Sequence, residues 1–161
     1  MSENHLSAGA VKVKKQRIAV FGGSKCTDDV LKTSYEVGRL LAKNDVIVYC
    51  GGRSGVMESV SQGVSEAGGT VIGILPDSSC DSSNKYISIS VATGFGQGRN
   101  IIIANSVEGA IAIDGAYGTL SEIAHTLSQG KPVVGLGTWD IRGVIQVSTP
   151  EEAVETVLSL I

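Results

Sequence analysis

The chain alternates between short apolar runs and longer segments in which apolar residues recur at helical spacing. The runs are rich in β-branched residues and contain no charged residue, as expected of strands that are buried on both faces of a sheet. They cover residues 18–21, 46–50, 71–75, 110–113 and 132–136. We predict a strand for each run.

Five further segments have the features of helices. Thr27 precedes Asp28 and Asp29, so it can cap a helix whose first turn is acidic. Thr149 opens a capping box in which a proline occupies the first helical position. The predicted helices follow Thr27, cover residues 55–67, 97–106 and 119–129, and run from Thr149 to residue 160.

This alternation of strands and helices predicts an α/β fold. The expected architecture is a three-layer, Rossmann-like, doubly wound and mainly parallel sheet with helices on both faces. We expect one nucleotide-binding domain over residues 17–161, because no repeat or change of composition interrupts the pattern. Residues 1–16 show no period and are expected to form a flexible tail, and the polar segment 77–85 is expected to form a loop.

Glycine is the residue type that departs most from ordinary composition, with 21 of 161 residues, about 13%, against roughly 7% on average. Ten of these glycines fall in four clusters, most of them between a predicted strand and a helix: 22, 23, 51, 52, 55, 94, 96, 98, 115 and 118. A tight turn of this kind needs glycine whatever the function, so one cluster alone says little. Several clusters at the carboxyl edge of one sheet predict a pocket for a phosphorylated ligand.

The two commonest nucleotide-binding motifs are absent. The chain contains no G-x-x-x-x-G-K-[ST] motif, and no G-x-G-x-x-G follows the first predicted strand. The predicted pocket must therefore differ from a P-loop and from an ordinary dinucleotide site.

Charge and cysteine content narrow the possible partners. The first 17 residues hold four basic side chains and one acidic side chain, which leaves nine basic and fifteen acidic residues, a net charge of −6, in the rest. Such a body is a poor candidate for binding nucleic acid. Three cysteines without a C-x-x-C pair favour neither a disulfide framework nor a zinc site. No apolar run approaches the roughly 18 residues of a membrane span, so we expect a cytoplasmic protein that needs no metal and no membrane.

Two polar residues near the glycine clusters are the best candidates for chemistry. Arg99 opens a predicted helix, where its planar guanidinium could bind phosphate or could pair with a carboxylate at the surface. Glu122 has two possible roles. With Thr119 it forms a capping-box pattern, but it could also bind ribose hydroxyls or stabilise the positive charge that develops when a glycosidic bond breaks.

Four segments together resemble the LONELY GUY proteins, which are also known as lysine decarboxylase-like proteins. Residues 114–122 (DGAYGTLSE) resemble the motif P-G-G-x-G-T-x-x-E, and residues 50–57 (CGGRSGVM) resemble G-G-x-x-G-x-M. Residues 94–105 and 131–139 are similar to the branch that includes the molybdenum cofactor carrier proteins. The resemblance covers residues 17–161, nearly the whole chain.

This resemblance implies a Rossmann-like sheet, a homodimer or homotetramer, and a nucleotide-sized pocket. In the enzymes of the family, which cleave nucleoside 5′-monophosphates, an arginine and the motif glutamate form the active-site pair; these roles map to Arg99 and Glu122. The predicted ligand-binding residues are Gly22, Gly23, Ser24, Gly51, Gly52, Gly55, Met57, Arg99, Asn100, Gly115, Gly118, Thr119 and Glu122.

Three departures from the enzyme pattern favour binding over hydrolysis. Asn100 stands where the hydrolases have lysine, and Asp114 and Ala116 replace the proline and the second glycine of the motif. We therefore expect a protein that binds an AMP-like nucleotide or the molybdenum cofactor and has no required cofactor. The alternative is a phosphoribohydrolase that cleaves the N-glycosidic bond of nucleoside 5′-monophosphates. Lysine decarboxylation is not expected, because no lysine is singled out to hold pyridoxal phosphate.

Overall fold

The computed structural model describes residues 14–161, which form seven strands and five α-helices. The strands are β1 (Arg17–Gly22), β2 (Ile47–Cys50), β3 (Thr70–Leu75), β4 (Ile89–Ala92), β5 (Gly109–Ile113), β6 (Val133–Leu136) and β7 (Val144–Val147). The helices are α1 (Asp28–Lys43), α2 (Val56–Glu66), α3 (Arg99–Ser106), α4 (Tyr117–Ser128) and α5 (Pro150–Ser159), and a 3₁₀ turn, Gly96–Gly98, precedes α3. Most of the predicted tail lies outside the described residues.

All seven strands are parallel and form one sheet in the order β4-β3-β2-β1-β5-β6-β7. From β1 the chain builds the sheet outward through β2, β3 and β4, and then returns to add β5 on the other side of β1. The order therefore reverses between β1 and β5. In an open α/β sheet, ligands bind in the crevice outside the carboxyl ends of the strands at this position.

Helices cover both faces of the sheet and give three layers. On one face, side chains of α1, α2 and α5, among them Val37, Val60 and Val157, pack on Ile18 and Val20 of β1 and on neighbouring strands. On the other face, α3 and α4 pack on the alternate residues of the same strands. β5 and β6 are buried along their whole length because both of their faces are covered. The predicted doubly wound α/β fold is confirmed.

The apolar runs predict β1, β2, β3, β5 and β6, but they miss both edge strands. The outer strand β4 has the sequence ISVA and is largely exposed, and β7 at the other edge has the sequence VIQV. An edge strand is covered less completely than a central strand, so it can carry polar residues and lose the uninterrupted apolar run. Segment 77–85 lies in the connection between β3 and β4.

The start of α4 differs from the prediction in a way that affects the site. The sequence predicted a helix over residues 119–129, whereas α4 begins at Tyr117 with Ala116 as its N-cap residue. Thr119 therefore lies inside the first turn, and the capping box between Thr119 and Glu122 does not form. The predicted caps of α1 by Thr27 and of α5 by Thr149 are both present. Within residues 14–161, no helix is long and apolar enough to span a membrane.

Candidate functional site

A cavity of about 360 Å³ lies at the carboxyl edge of the sheet, where the strand order reverses. One wall follows β1 and contains Gly22, Gly23 and Ser24, and the opposite wall is the start of α4 after β5. The loop after β2 and the start of α3 complete the lining. The volume lies within the range of pockets that hold small molecules.

None of the three helices that begin at this cavity has a side-chain cap, and α3 follows directly on the 3₁₀ turn Gly96–Gly98. Gly55 is the N-cap residue of α2 and Ala116 is that of α4, and no N-cap side chain accepts a hydrogen bond from the first turn of either helix. By contrast, the threonines that precede α1 and α5 accept hydrogen bonds from the first turn of their helices. The N–H of Val56 donates to the carbonyl oxygen of Gly23, but no side chain caps the positive ends of the dipoles of α2 and α4, and such ends favour an anion at the cavity.

Two glycines allow the turns around the cavity to pack closely. Gly55 has φ +70°, and a Cβ atom at this position would lie 2.4 Å from the carbonyl oxygen of Gly23. Gly115 has φ +101°, and its Cβ atom would lie 2.2 Å from Oγ1 of Thr119. A side chain at Gly55 would push the turns after β1 and β2 apart, and one at Gly115 would displace Thr119 at the start of α4. The glycines therefore shape the walls of the cavity even where they do not face it.

Arg99 is buried and already bound to the backbone. Its Nη1 donates hydrogen bonds to the carbonyl oxygen of Gly51 and, at 2.5 Å, to that of Ile74. Its Nε is buried with no hydrogen-bond partner among the described residues. Burial lowers the pKa of the guanidinium below its ordinary value, although the nearby Glu122 opposes this effect. One side of Arg99 thus holds the ends of β2 and β3 together, and a donor remains unpaired beside the cavity.

Glu122 is a buried acid whose pKa is raised. Its side chain is 8% exposed, and burial raises its pKa to about 8, against a smaller lowering effect from Arg99. The two side chains form no ion pair: the bridges within 4.0 Å among residues 14–161 join other residues. Near neutral pH the carboxyl group is therefore mostly protonated and can donate a hydrogen bond or a proton.

Asn100 joins α3 to α4 and is almost fully buried. Its Nδ2 lies 3.4 Å from the carbonyl oxygen of Gly118 and 3.3 Å from Oγ of Ser121. The amide thus occupies the junction between the two helix starts that border the cavity. Asparagine at this position holds the wall of the cavity and brings no positive charge into it.

Nine of the thirteen predicted site residues line the cavity: Gly22, Gly23, Ser24, Met57, Arg99, Asn100, Gly118, Thr119 and Glu122. The other four, Gly51, Gly52, Gly55 and Gly115, lie in the turns behind the walls. The structure thus brings Arg99 and Glu122, 23 positions apart in the chain, to one cavity. Their roles in binding or catalysis stay predictions.

The cavity is also lined by four residues that are not in the predicted set, namely Arg53, Ser54, Gln97 and Ala116. Arg53 and Ser54 are exposed and belong to the turn between Gly52 and Gly55, within the segment that resembles a family motif. Their position between those glycines was a signal that could have found them. Ala116 also accepts a hydrogen bond at its carbonyl oxygen from Nε1 of Trp139, at 3.1 Å.

Comparison with known proteins places the chain among a defined set of relatives. A model of the SLOG cluster4 family matches residues 15–159. An uncharacterized protein of Archaeoglobus fulgidus is 38% identical over 148 residues, which are 91% of this chain and 97% of that protein. Cytokinin riboside 5′-monophosphate phosphoribohydrolase LOG5 of Arabidopsis thaliana is 32% identical over 126 residues, which are 73% of this chain. The match spans only 54% of LOG5.

Solved structures share both the fold and part of the sequence. The molybdenum cofactor binding protein from Rippkaea orientalis is 36% identical, with a TM-score of 0.86 over 91% of this chain and 97% of that one. The molybdenum cofactor carrier protein MCP from Chlamydomonas reinhardtii is 33% identical, with a TM-score of 0.82 over 91% and 98% of the two chains. These matches confirm the resemblance that the sequence motifs indicate.

Proposed function

Since the chain belongs to the SLOG cluster4 family, we propose that its cavity binds a phosphorylated small molecule, either a nucleotide or a molybdopterin-like cofactor. The observation that carries this proposal is the meeting of two uncapped helix starts, those of α2 and α4, at one cavity. Backbone N–H groups at such helix starts favour a bound phosphate. The solved relatives are described as binding or carrying the molybdenum cofactor, which agrees with a ligand of this class.

The charges at the cavity also favour an anionic ligand. Arg53, Arg99 and Glu122 are the ionisable side chains that line it. Because burial raises the pKa of Glu122 to about 8, the carboxyl group adds little negative charge near neutral pH. Two arginines and a largely neutral acid leave the cavity positive, and this balance attracts phosphate.

The donor set fits either ligand of this class. The unpaired Nε of Arg99, the hydroxyls of Ser24 and Thr119 and the helix starts would hold a phosphate group. The protonated Glu122 would donate to a ribose hydroxyl or to a heterocycle oxygen. A molybdopterin ligand would be cargo here, which the cavity binds and shields from solvent.

The proposal is tested by identifying what the purified protein binds. Small molecules released on denaturation are identified by mass spectrometry, and the apo protein is titrated with AMP and GMP by calorimetry. We expect a phosphorylated nucleotide or pterin in the first measurement, or saturable binding in the second. A variant with Gly118→Ala, which narrows the cavity, is expected to bind more weakly. If neither measurement finds a phosphorylated ligand, the proposal is wrong.

One observation favours hydrolysis of nucleoside 5′-monophosphates as a second candidate. Glu122, protonated near neutral pH, shares the cavity with Arg99, and such an acid can protonate the base as its N-glycosidic bond breaks while water adds to the sugar. This role differs from the charge stabilisation that the family resemblance implies, which requires an ionised carboxylate. The likeness to the phosphoribohydrolases of Arabidopsis thaliana supports the candidate, although the chain spans about half of their length.

Incubation with AMP and chromatographic detection of free adenine separate the two functions. An enzyme releases adenine and ribose 5-phosphate, and the Glu122→Gln variant loses this activity while it keeps its fold. A pure binding protein releases no base from any of the common nucleoside monophosphates that it binds. Release of adenine by the wild type but not by the variant would establish hydrolysis.

A further inference from the structure

Arg53 and Arg99 both line the cavity, but their guanidinium groups differ in what they contact. Arg99 is buried, and its Nη1 is occupied by two carbonyl oxygens. Arg53 is exposed, and among residues 14–161 its guanidinium has neither a hydrogen-bond partner nor a carboxylate within 4.0 Å. The cavity therefore has one arginine that holds its wall and one whose planar donor group is free.

The backbone of Arg53 is held in place although its side chain is free. Asn84, in the connection between β3 and β4, donates from Nδ2 to the carbonyl oxygen of Arg53 at 2.9 Å. The backbone N–H of Asn84 also donates to the carbonyl oxygen of Gly52 at 2.9 Å. Oδ1 of the same side chain accepts from the N–H of Tyr86 at 3.1 Å. One asparagine thus fixes the turn from two sides, so the Arg53 side chain extends from a defined position.

We propose that Arg53 binds the phosphate group of the ligand and makes the cavity select phosphorylated over unphosphorylated molecules. This inference rests on the proposed function and deepens it. The guanidinium has all five of its N–H donors available, and its planar fork matches two oxygens of one phosphate. Ser54, next in the chain, brings a hydroxyl to the same lining, and α2 begins two residues further on.

The two arginines have different roles because one side chain is exposed and the other is buried. A side chain that is free and exposed can move onto an entering anion without breaking a contact within the protein. Arg99 can offer a ligand only the donors that its two carbonyl bonds leave free. Arg53 therefore supplies an adaptable, exposed cation, and Arg99 supplies a fixed donor in the wall.

The experiment compares AMP with adenosine, which lacks the phosphate group, in the full-length wild type and three variants. Arg53→Ala removes the cation, and Arg53→Lys keeps the charge without the planar fork. Arg142→Ala is the matched control, because Arg142 is an exposed arginine that does not line the cavity. Affinities are measured by calorimetry at low and at high salt, since a contact between exposed charges weakens with salt.

For Arg53→Ala we expect AMP affinity to fall by about tenfold or more, with adenosine affinity unchanged within about twofold. Arg53→Lys is expected to lie between this variant and the wild type, and Arg142→Ala to match the wild type. Equal AMP affinities of the wild type and Arg53→Ala would overturn the role of Arg53 and leave the proposed function standing. A wild type that binds neither AMP nor GMP and releases no phosphorylated ligand on denaturation would overturn both.

Discussion

Arg99 donates through Nη1 to the carbonyl oxygen of Gly51, 48 positions earlier in the chain. The same nitrogen donates to the carbonyl oxygen of Ile74, so the first residue of α3 is tied to the ends of β2 and β3. An arginine expected from the sequence to hold phosphate thus also holds the carboxyl edge of the sheet in shape. Substitution of Arg99 would change both the cavity and the stability of the fold. A loss of ligand binding in such a variant is therefore interpreted only together with its free energy of unfolding.

The Arg99→Ala variant is expected to be less stable than the wild type by about 2–4 kcal/mol. The substitution leaves two carbonyl oxygens at the ends of β2 and β3 without their donor. Urea denaturation measures the free energy of unfolding. Arg53→Ala serves as the control, because the Arg53 guanidinium has no hydrogen-bond or ion-pair partner among residues 14–161, and the change in stability is expected to stay within about 0.5 kcal/mol. Equal stabilities of Arg99→Ala and Arg53→Ala would contradict the structural role of Arg99.

Two glycine substitutions test the shape of the cavity and the stability of the fold independently. A Cβ atom on Gly118 has only Oε1 of Gln97 near it, at 3.9 Å, so Gly118→Ala places a methyl group in open space at the cavity. We expect AMP to bind more weakly. The free energy of unfolding is expected to rise by up to about 1 kcal/mol, because alanine has a higher helix propensity than glycine in α4. Urea denaturation and calorimetry measure the two effects.

Gly51→Ala is the matched contrast. Its Cβ atom would lie 2.6 Å from Sδ of Met57 and 2.8 Å from Nη1 of Arg99, so both side chains must move. We expect this variant to lose about 1–3 kcal/mol of stability. If Gly51→Ala is as stable as the wild type, the close contact between the β2 turn and Arg99 is not required.

The central strands and the edge that carries the site could be predicted from the sequence, because burial on both faces demands unbroken apolar runs such as residues 110–113. The edge strand Val144–Val147 gives no such signal, since a half-exposed strand tolerates Gln146. The contrast between Arg53 and Arg99 could not be predicted either. Which arginine is bound by carbonyl groups depends on how β2, β3 and α3 meet, and the spacing of residues along the chain does not encode this.

The departure from the family motif at Asp114 has a backbone explanation. Asp114 has φ +50°, a left-handed conformation that proline cannot adopt, and its N–H donates to the carbonyl oxygen of Leu136 at 3.1 Å. We expect Asp114→Pro to lower the free energy of unfolding by about 3 kcal/mol or more. We expect Asp114→Gly to leave it unchanged or to raise it by up to about 1 kcal/mol. Thermal and urea denaturation of the two variants measure this difference. A stable Asp114→Pro variant would show that this turn readily adopts the backbone of the family motif.

The protonation of Glu122 predicts how stability depends on pH. Because burial raises its pKa from 4.5 to about 8, the unfolded chain releases this proton at lower pH than the folded protein. The contribution of Glu122 is therefore most favourable below about pH 4.5 and falls by about 1.4 kcal/mol per pH unit until the pH reaches about 8. Glutamine has a similar shape and no proton to lose, so Glu122→Gln removes this loss. The free energy of unfolding of the variant, relative to that of the wild type, is therefore expected to rise with pH, by on the order of 4 kcal/mol at about pH 8.

Urea denaturation at about pH 5 and about pH 8 measures this difference. Glu155→Gln is the matched control, because Glu155 is exposed on α5 and the same substitution there removes a carboxylate that water solvates. A constant difference between Glu122→Gln and the wild type at the two pH values would mean that Glu122 is ionised in the folded protein. In that case it could act as the charged group that stabilises an oxocarbenium ion, and its role as a proton donor would be wrong.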